Sequence, residues 1–187
     1  DNLERVIRKS TENEIALNSP LSVASRIHAR VEPEIAVRLR KTLSGNRLTI
    51  SDVADAIEWA GLAIEVLDSR YENFKFSLPD VIADNTSASG YIMGKVNLAS
   101  LGDALRLQGI ILKKNGEIID TGAPAATLGH PYLSVVELAK LLGQRGKALE
   151  KGMVVLTGGI TASVPVKAGD TVEVLLRSET ASVKVFS

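Results

Sequence analysis

The sequence predicts an α+β fold in which strands outnumber helices, and three observations carry that prediction. Apolar residues alternate with polar ones around residues 31–39 and again through residues 164–185, the period-two signature of strands with one buried face. Asn115-Gly116 separates the runs 110–113 and 117–120, and Asn-Gly between such runs is the strongest short-range hairpin signal a sequence offers. Helical spacing is confined to a few short segments.

Taken in order, residues 1–9 carry Leu3, Val6 and Ile7 at helical spacing among charges and read as a short amphipathic helix. Residues 11–22 are polar and hold Asn18-Ser19-Pro20, a turn or linker. Residues 1–20 are therefore expected as an N-terminal helix and linker ahead of one domain over 21–187. A strand follows around Glu32-Pro33-Glu34. Side chains alternate faces along it, so Glu32 and Glu34 point one way while Val31, Ile35, Val37 and Leu39 take the face where a core belongs. Pro33 cannot donate to a ladder, which places it at an edge, a strand start or a bulge. His28, an even number of residues before Glu32, joins the glutamate face if the strand is continuous; the other reading is a structural histidine. Ser44-Gly45-Asn46 is a turn. Ser51 reads as the N-cap of a helix running to about Trp59, with Asp52 in its first turn and Gly61 as its end. Residues 62–67 then form a second apolar strand, interrupted by Glu65.

Residues 68–76 are dense in charge and carry Phe74 and Phe76. A loop at a pocket mouth is expected there, and both rings can also pack onto the core. Residues 79–83 form one helical turn. The run Asp84-Asn85-Thr86-Ser87-Ala88-Ser89-Gly90 is crowded with hydrogen-bonding side chains, which either orient a carboxylate or carbonyl or form a turn and cap cluster. Residues 122–131 are rich in small side chains and end in Gly129-His130-Pro131. Residues 133–142 form a core-facing helix closed by Gly143. Residues 152–157 are a buried strand running into Gly158-Gly159, where backbone can approach a ligand closely. Short strands with turns at 167–170 and around Ser178-Glu179 finish the chain.

With 187 residues, 45% of them hydrophobic, the chain can bury a sizeable single core. Its 22 basic and 22 acidic residues balance, which argues against a nucleic-acid surface or a polybasic membrane anchor and leaves a small molecule or another protein as partner. The absence of cysteine excludes disulfides, thiolate metal sites and cysteine nucleophiles and is compatible with a reducing cytoplasm, the expected location. No long uncharged apolar run is present, and Asp1, Glu4, Arg5 and Arg8 do not read as a signal peptide. No dinucleotide fingerprint or phosphate loop signals an organic cofactor. Apolar strands in a chain of balanced charge leave room for a homo-oligomer. Glu32, Glu34 and Glu65, with no equal cluster of bases beside them, suggest a hard divalent cation, magnesium or manganese. The alternative is an exposed strand face on which Glu34 pairs with Arg38 or Arg40.

Several segments together carry a resemblance: Glu32-Pro33-Glu34-Ile35, Glu65-Val66-Leu67-Asp68-Ser69-Arg70, Ala83-Asp84-Asn85-Thr86-Ser87, Leu128-Gly129-His130-Pro131 and Leu156-Thr157-Gly158-Gly159-Ile160-Thr161-Ala162. In order over roughly residues 24–187, they resemble the hydratase and decarboxylase branch of the fumarylacetoacetate hydrolase superfamily. Residues 68–76 and 157–161 are most similar to the decarboxylases of 2-oxo-3-hexenedioate (4-oxalocrotonate), and most of the rest is shared with the sister 2-hydroxypenta-2,4-dienoate hydratases. The resemblance implies a mixed β-roll core with flanking helices, Mg2+ or Mn2+ held by Glu32, Glu34 and Glu65, and a 2-oxo acid substrate. It makes Ser87 a catalytic and substrate-binding candidate, at the serine of the family's Asp-Asn-Ala-Ser segment with Thr86 in place of alanine, and adds Asn85, Thr157 and Gly158 as substrate-binding candidates. It also implies association with the partner hydratase. Family members carry a longer N-terminal region with a Gly-Leu-Lys-Met-Gly-like segment whose lysine reaches the active site. No such segment precedes Glu32, where Lys9 stands alone, so Lys75 is the catalytic cation candidate in its place. Residues 1–20 then read as a remnant of a longer N-terminal region; the competing reading is a shortened, inactive paralogue acting as a partner subunit.

Overall fold

Strand pairing organises the chain into two sheets, and the carboxylates sit on the longest hairpin of one of them. The computed structural model describes residues 14–187, so the helix expected over 1–9 lies outside the described residues. One sheet has the order β1 (Leu21–Ser22), β10 (Glu179–Phe186), β9 (Thr171–Leu176), β5 (Ile110–Lys114), β6 (Glu117–Gly122). The other runs β4 (Ala88–Met93), β3 (Ile57–Asp68), β2 (Ala29–Leu39), β7 (Val154–Leu156), with β8 (Val164–Pro165) also pairing β2. The period-two reading of β2 holds: Val31, Ile35, Val37 and Leu39 enter one core with Leu62, Ile64 and Val66 of β3 and Leu112, Val172, Val174 and Leu176 of the facing sheet. The opposite face of β2 and β3 carries the glutamates and a small apolar cluster, Ala36, Ala63, Tyr91, Met93 and Val154.

Among the described residues three α-helices flank the sheets: α1 (Ile50–Ala56), α2 (Leu78–Ala83) and α3 (Pro131–Gly143). The N-cap of α1 is Thr49, not Ser51: the Thr49 hydroxyl accepts from the Asp52 amide, and Asp52 Oδ2 accepts from the Thr49 amide at 2.8 Å, a reciprocal capping box. The helix stops at Ala56 because Ile57 and Trp59, β-branched and aromatic, continue as strand. Gly61, expected to end that helix, instead lies in the middle of β3, where a Cβ would meet the Trp59 ring at 2.5 Å. α3 begins at Pro131, suited to a first helical turn, and His130 caps it by accepting from the Tyr132 amide at 3.0 Å. The Asn115-Gly116 hairpin is present, with positive φ at both residues (54° and 86°), the conformation a tight primed turn requires. Residues 21–22, read as linker, form a parallel strand with 185–186.

Pro33 sits in the middle of β2, opposite Ile64. A strand residue presents its nitrogen and carbonyl to the same side, and the Pro33 carbonyl accepts from the Ile160 amide at 2.9 Å. On that side regular pairing stops after Ala36–Leu156 and resumes at Val31–Val164, so residues 157–163 face only residues 32–35 and must bulge. The missing proline donor falls in this interruption, a local edge inside the sheet. No helix of the described residues is long and apolar enough to cross a membrane.

Candidate functional site

Glu32 stands directly opposite Glu65 across the β2–β3 ladder, and Glu34 follows two residues on along the same face. One carboxylate oxygen from each lies within 4.8 Å of the other two. Like charges placed opposite each other oppose the pairing, and the surroundings intensify this, because Glu34 is only 1% exposed. Neither arginine that might have neutralised Glu34 does so. Arg38 Nη2 reaches Met93 Sδ at 3.8 Å, and Arg40 Nε donates to the Asp55 carbonyl at 3.0 Å. The bulge supplies what contact there is: the Gly158 amide donates to Glu34 Oε2 at 2.7 Å. Gly159 lies against Glu32 so closely that a Cβ there would stand 2.8 Å from its Cδ. The close backbone approach expected at Gly158-Gly159 is an approach to the carboxylates themselves.

Burial first, and then the Glu65 charge, push Glu32 up to about 7 from an ordinary 4.5. Glu34 is raised well above the usual carboxylate range by the same two causes, and burial raises Glu65. The cluster therefore holds protons near neutral pH in the absence of a cation. Three convergent all-oxygen donors, Glu34 buried and Glu32 and Glu65 half-buried, short of positive charge, match the preferences of a hard divalent ion.

A cavity of about 430 Å3 opens over the cluster. Phe74, Phe76 and Leu67 wall one side, Thr86, Ser87 and Ala88 another, Gly158 and Ser163 the bulge, and Leu138 with residues 154–156 the far end. Ser87 is buried and donates to Asp84 Oδ2 at 3.1 Å, while Asp84 accepts from the Arg70 amide at 3.2 Å and from its guanidinium. Burial raises the Asp84 carboxyl, but the Arg70 and Ser87 hydrogen bonds outweigh it and hold it below the ordinary value. Asn85, Thr86 and Ser87 all take left-handed backbone, φ 57°, 54° and 59°. Such conformations cost energy in non-glycine residues and cluster at functional sites. A larger depression, about 810 Å3, lies between residues 44–46 and the end of α3, but Glu150 is its only carboxylate among the described residues.

The structure brings together Glu32, Glu34, Glu65, Ser87 and Gly158. It does not bring Lys75, which is exposed and outside the cavity wall, while Phe74 and Phe76 on either side of it face in. Asn85 is also outside the wall, its Oδ1 buried without a partner among the described residues. Thr157 stands behind Gly158, donating from Oγ1 to the Ile35 carbonyl at 2.9 Å. His28 is structural: Nδ1 donates to the Ser69 carbonyl at 2.9 Å and its amide to Asp68 Oδ1 at 2.7 Å, which ties the start of β2 to the end of β3. Sequence reading missed Arg30 and Ser163. Arg30 shares the even-numbered face of β2 with Glu32 and Glu34, so strand parity alone marks it.

No protein-family model matches the chain. A 4-oxalocrotonate decarboxylase of Pseudomonas putida is 48% identical over 149 residues, 79% of this chain and 56% of that protein. The solved 4-oxalocrotonate decarboxylase from Pseudomonas putida G7, complexed with magnesium and adipate, superposes with a TM-score of 0.88 at 38% identity, covering 94% of this chain and 67% of that one. The chain belongs to the fumarylacetoacetate hydrolase superfamily. A 2-hydroxyhexa-2,4-dienoate hydratase of Comamonas testosteroni is 34% identical over 167 residues, 89% of this chain and 63% of that protein. A fumarylacetoacetate hydrolase family protein of Yersinia pestis CO92 shares the fold, with a TM-score of 0.66 at 20% identity over 93% of this chain and 81% of that one. The mixed β-roll expected of the superfamily is thus the fold observed. The chain spans about half the length (56%) of the first two curated relatives.

Proposed function

We propose that the protein is a divalent-metal-dependent carbon–carbon lyase that converts 2-oxo-3-hexenedioate to 2-hydroxypenta-2,4-dienoate and carbon dioxide, a step in meta-cleavage degradation of aromatic compounds. The observation that carries this reading is the convergent Glu32–Glu34–Glu65 cluster, half-buried to buried, uncompensated by any ion pair among the described residues and open to a cavity. The likeness to decarboxylases supports the choice of substrate. Glu32, Glu34 and Glu65 would hold Mg2+ or Mn2+, in line with the magnesium and calcium of the two Pseudomonas putida G7 complexes. When bound, such an ion supplies Lewis-acid polarisation of a chelating 2-oxo acid.

The chain's own residues do the rest. Gly158 and Gly159 fix the orientation of Glu34 and Glu32 from the bulge. Phe74, Phe76 and Leu67 give the substrate chain an apolar wall beside the glutamates. Ser87, anchored by Asp84 and Arg70, gives its proton to Asp84 and so leaves its oxygen lone pairs at the wall to accept from a substrate hydroxyl. Overall the dianionic substrate loses carbon dioxide and takes up one proton.

The hydratase reading is kept because hydratases are among the relatives, and both reactions begin from the same 2-oxo acid. Around the enzyme we place a homo-oligomer, a partner hydratase that consumes the unstable dienol, and a cytoplasmic setting, with the catalytic domain over residues 21–187. Product analysis is the test. Magnesium-dependent carbon dioxide release from 2-oxo-3-hexenedioate is expected; full activity after chelation refutes the metal role. Water addition to 2-hydroxypenta-2,4-dienoate without carbon dioxide release makes the protein a hydratase, and turnover of neither makes it an inactive partner subunit.

A further inference from the structure

We infer that Ser163, backed by the Arg30 guanidinium, is the subsite for the distal carboxylate of a dicarboxylic 2-oxo acid, an inference that rests on the decarboxylase reading. Arg30 lies on the glutamate face of β2, opposite Leu67, and is the residue pair next along from Glu32–Glu65 on that face. Its Nε donates to Ser163 Oγ at 2.9 Å and its Nη2 to the Ser163 carbonyl at 2.6 Å, and the guanidinium lies over the Phe74 ring, 5.0 Å from its centroid. Leu67, Phe74 and Ser163 all line the cavity. A serine hydroxyl that accepts from an arginine keeps its own proton to donate elsewhere. For Ser163 the open direction is the cavity, with a fixed positive charge behind the hydroxyl, and that combination recognises an anion.

The spacing and the asymmetry of the cavity fit the same ligand. One same-face step along a strand is about 6.6 Å, while four carbon–carbon bonds, the separation of the 2-oxo carbon from the distal carboxylate, span about 5 Å when extended. A six-carbon dioate with its 2-oxo end over the three glutamates therefore stops about 2 Å short of the Arg30 level, a gap that a hydrogen bond from Ser163 spans. At the opposite end the lining is apolar, Leu138, Val154, Val155 and Leu156, and Arg38, which faces Val154 across the ladder, lies outside the lining with its guanidinium on Met93 Sδ. The subsite thus selects dioates over 2-oxo monoacids and sets which way round the substrate lies.

The test is titration calorimetry of the intact protein in excess magnesium with 2-oxoadipate and 2-oxohexanoate, which share the chelating end and differ only at the distal carbon. The unaltered protein should prefer the dioate. Ser163→Ala and Arg30→Met should each weaken the dioate on the order of tenfold, the loss of one charge-assisted contact, and so collapse the dioate-to-monoacid ratio. An unchanged ratio in Ser163→Ala, the smaller perturbation of the two, overturns the inference, as does equal weakening of both ligands, which would reveal a purely structural pin for Phe74. If the unaltered protein binds neither acid in a magnesium-dependent way, the decarboxylase reading itself has failed and the subsite falls with it.

Discussion

Stripping the cation should make folding stability fall as pH rises, the reverse of the usual behaviour of carboxylates. Glu32 in the metal-free fold keeps its proton up to about 7 against an ordinary 4.5. Between those values the folded chain binds more protons than the unfolded one, so stability is progressively lost as pH rises through that window. At about 1.4 kcal/mol per pKa unit, the loss from Glu32 is roughly 3 kcal/mol between pH 5 and 8, and the raised Glu34 and Glu65 act in the same direction. Excess magnesium should cancel it, since the ion favours the ionised form of all three. The assay is urea unfolding at pH 5, 6, 7 and 8 in chelator and in magnesium, with the gap between the two curves as the readout. His130, lowered by burial, contributes the opposite slope, because its neutral form is favoured in the fold and stability is lost as pH falls below 6.5; it titrates in both series and drops out of the gap. In Asp170, hydrogen bonds from Asn115 and Lys114 outweigh burial and hold the carboxyl at about 2, so its contribution is complete throughout this range. The gap should widen steadily with pH. A gap constant from pH 5 to 8 would refute the account of the cluster as three mutually repelling, desolvated carboxylates.

Three substitutions extend the test. Glu65→Gln removes one charge at nearly constant shape, so the magnesium-dependent stabilisation, on the order of 2.7 kcal/mol when free metal is a hundred times its Kd and read as a rise in melting temperature, should shrink while the metal-free melt stays level or rises; an undiminished shift would exclude Glu65 from the site. Gly159→Ala would place a methyl 2.8 Å from Glu32 Cδ and 2.9 Å from both its oxygens. Magnesium affinity by calorimetry should drop at least tenfold with little change in the metal-free melt, and an unaltered affinity would show that Glu32 is free to move. Gly61→Ala pushes a Cβ to 2.5 Å from the Trp59 ring and 2.6 Å from the Val96 carbonyl; destabilisation of about 1–3 kcal/mol is expected in urea, with magnesium affinity untouched, and a neutral result would mean that both the Trp59 ring and the backbone at Val96 give way.

Much of the site was legible because strand geometry is periodic. Parity alone put Glu32 and Glu34 on one face and the core residues on the other, and Glu65 stood out as a charge in an apolar run. What parity could not supply was pairing: that Glu65 lies opposite Glu32, and not one step away, depends on the register of β2 against β3. The α1 boundary was misread because Thr49, Ser51 and Asp52 are all good capping residues, and only the reciprocal Thr49–Asp52 bonds decide between them. Gly61 looked like a helix stop because a glycine's role as a breaker and its role as space for an indole ring are indistinguishable in one dimension. Lys75 was a candidate only as a stand-in for the family's N-terminal lysine, and it lies exposed outside the cavity wall that Phe74 and Phe76 line. Ser163 had no local signal at all, since its importance comes from an arginine 133 positions away.

The bulge at residues 157–163 also bears on the order of events when the chain folds. All three glutamates come from one antiparallel pair, β2 and β3, whose closure joins neighbouring stretches of chain. The amide that steadies Glu34 belongs to Gly158, 124 positions further on, and β1 cannot find its place until β10, at the other end of the domain, is present. Contacts that span so much chain cost more closure entropy and slow folding. An ion that needs only the hairpin can be captured while these distant pieces are still arriving, whereas one that needs the bulge cannot. Magnesium should therefore leave the folding limb of a chevron nearly unmoved and lower the unfolding limb if the bulge is required, or raise the folding limb if the hairpin suffices.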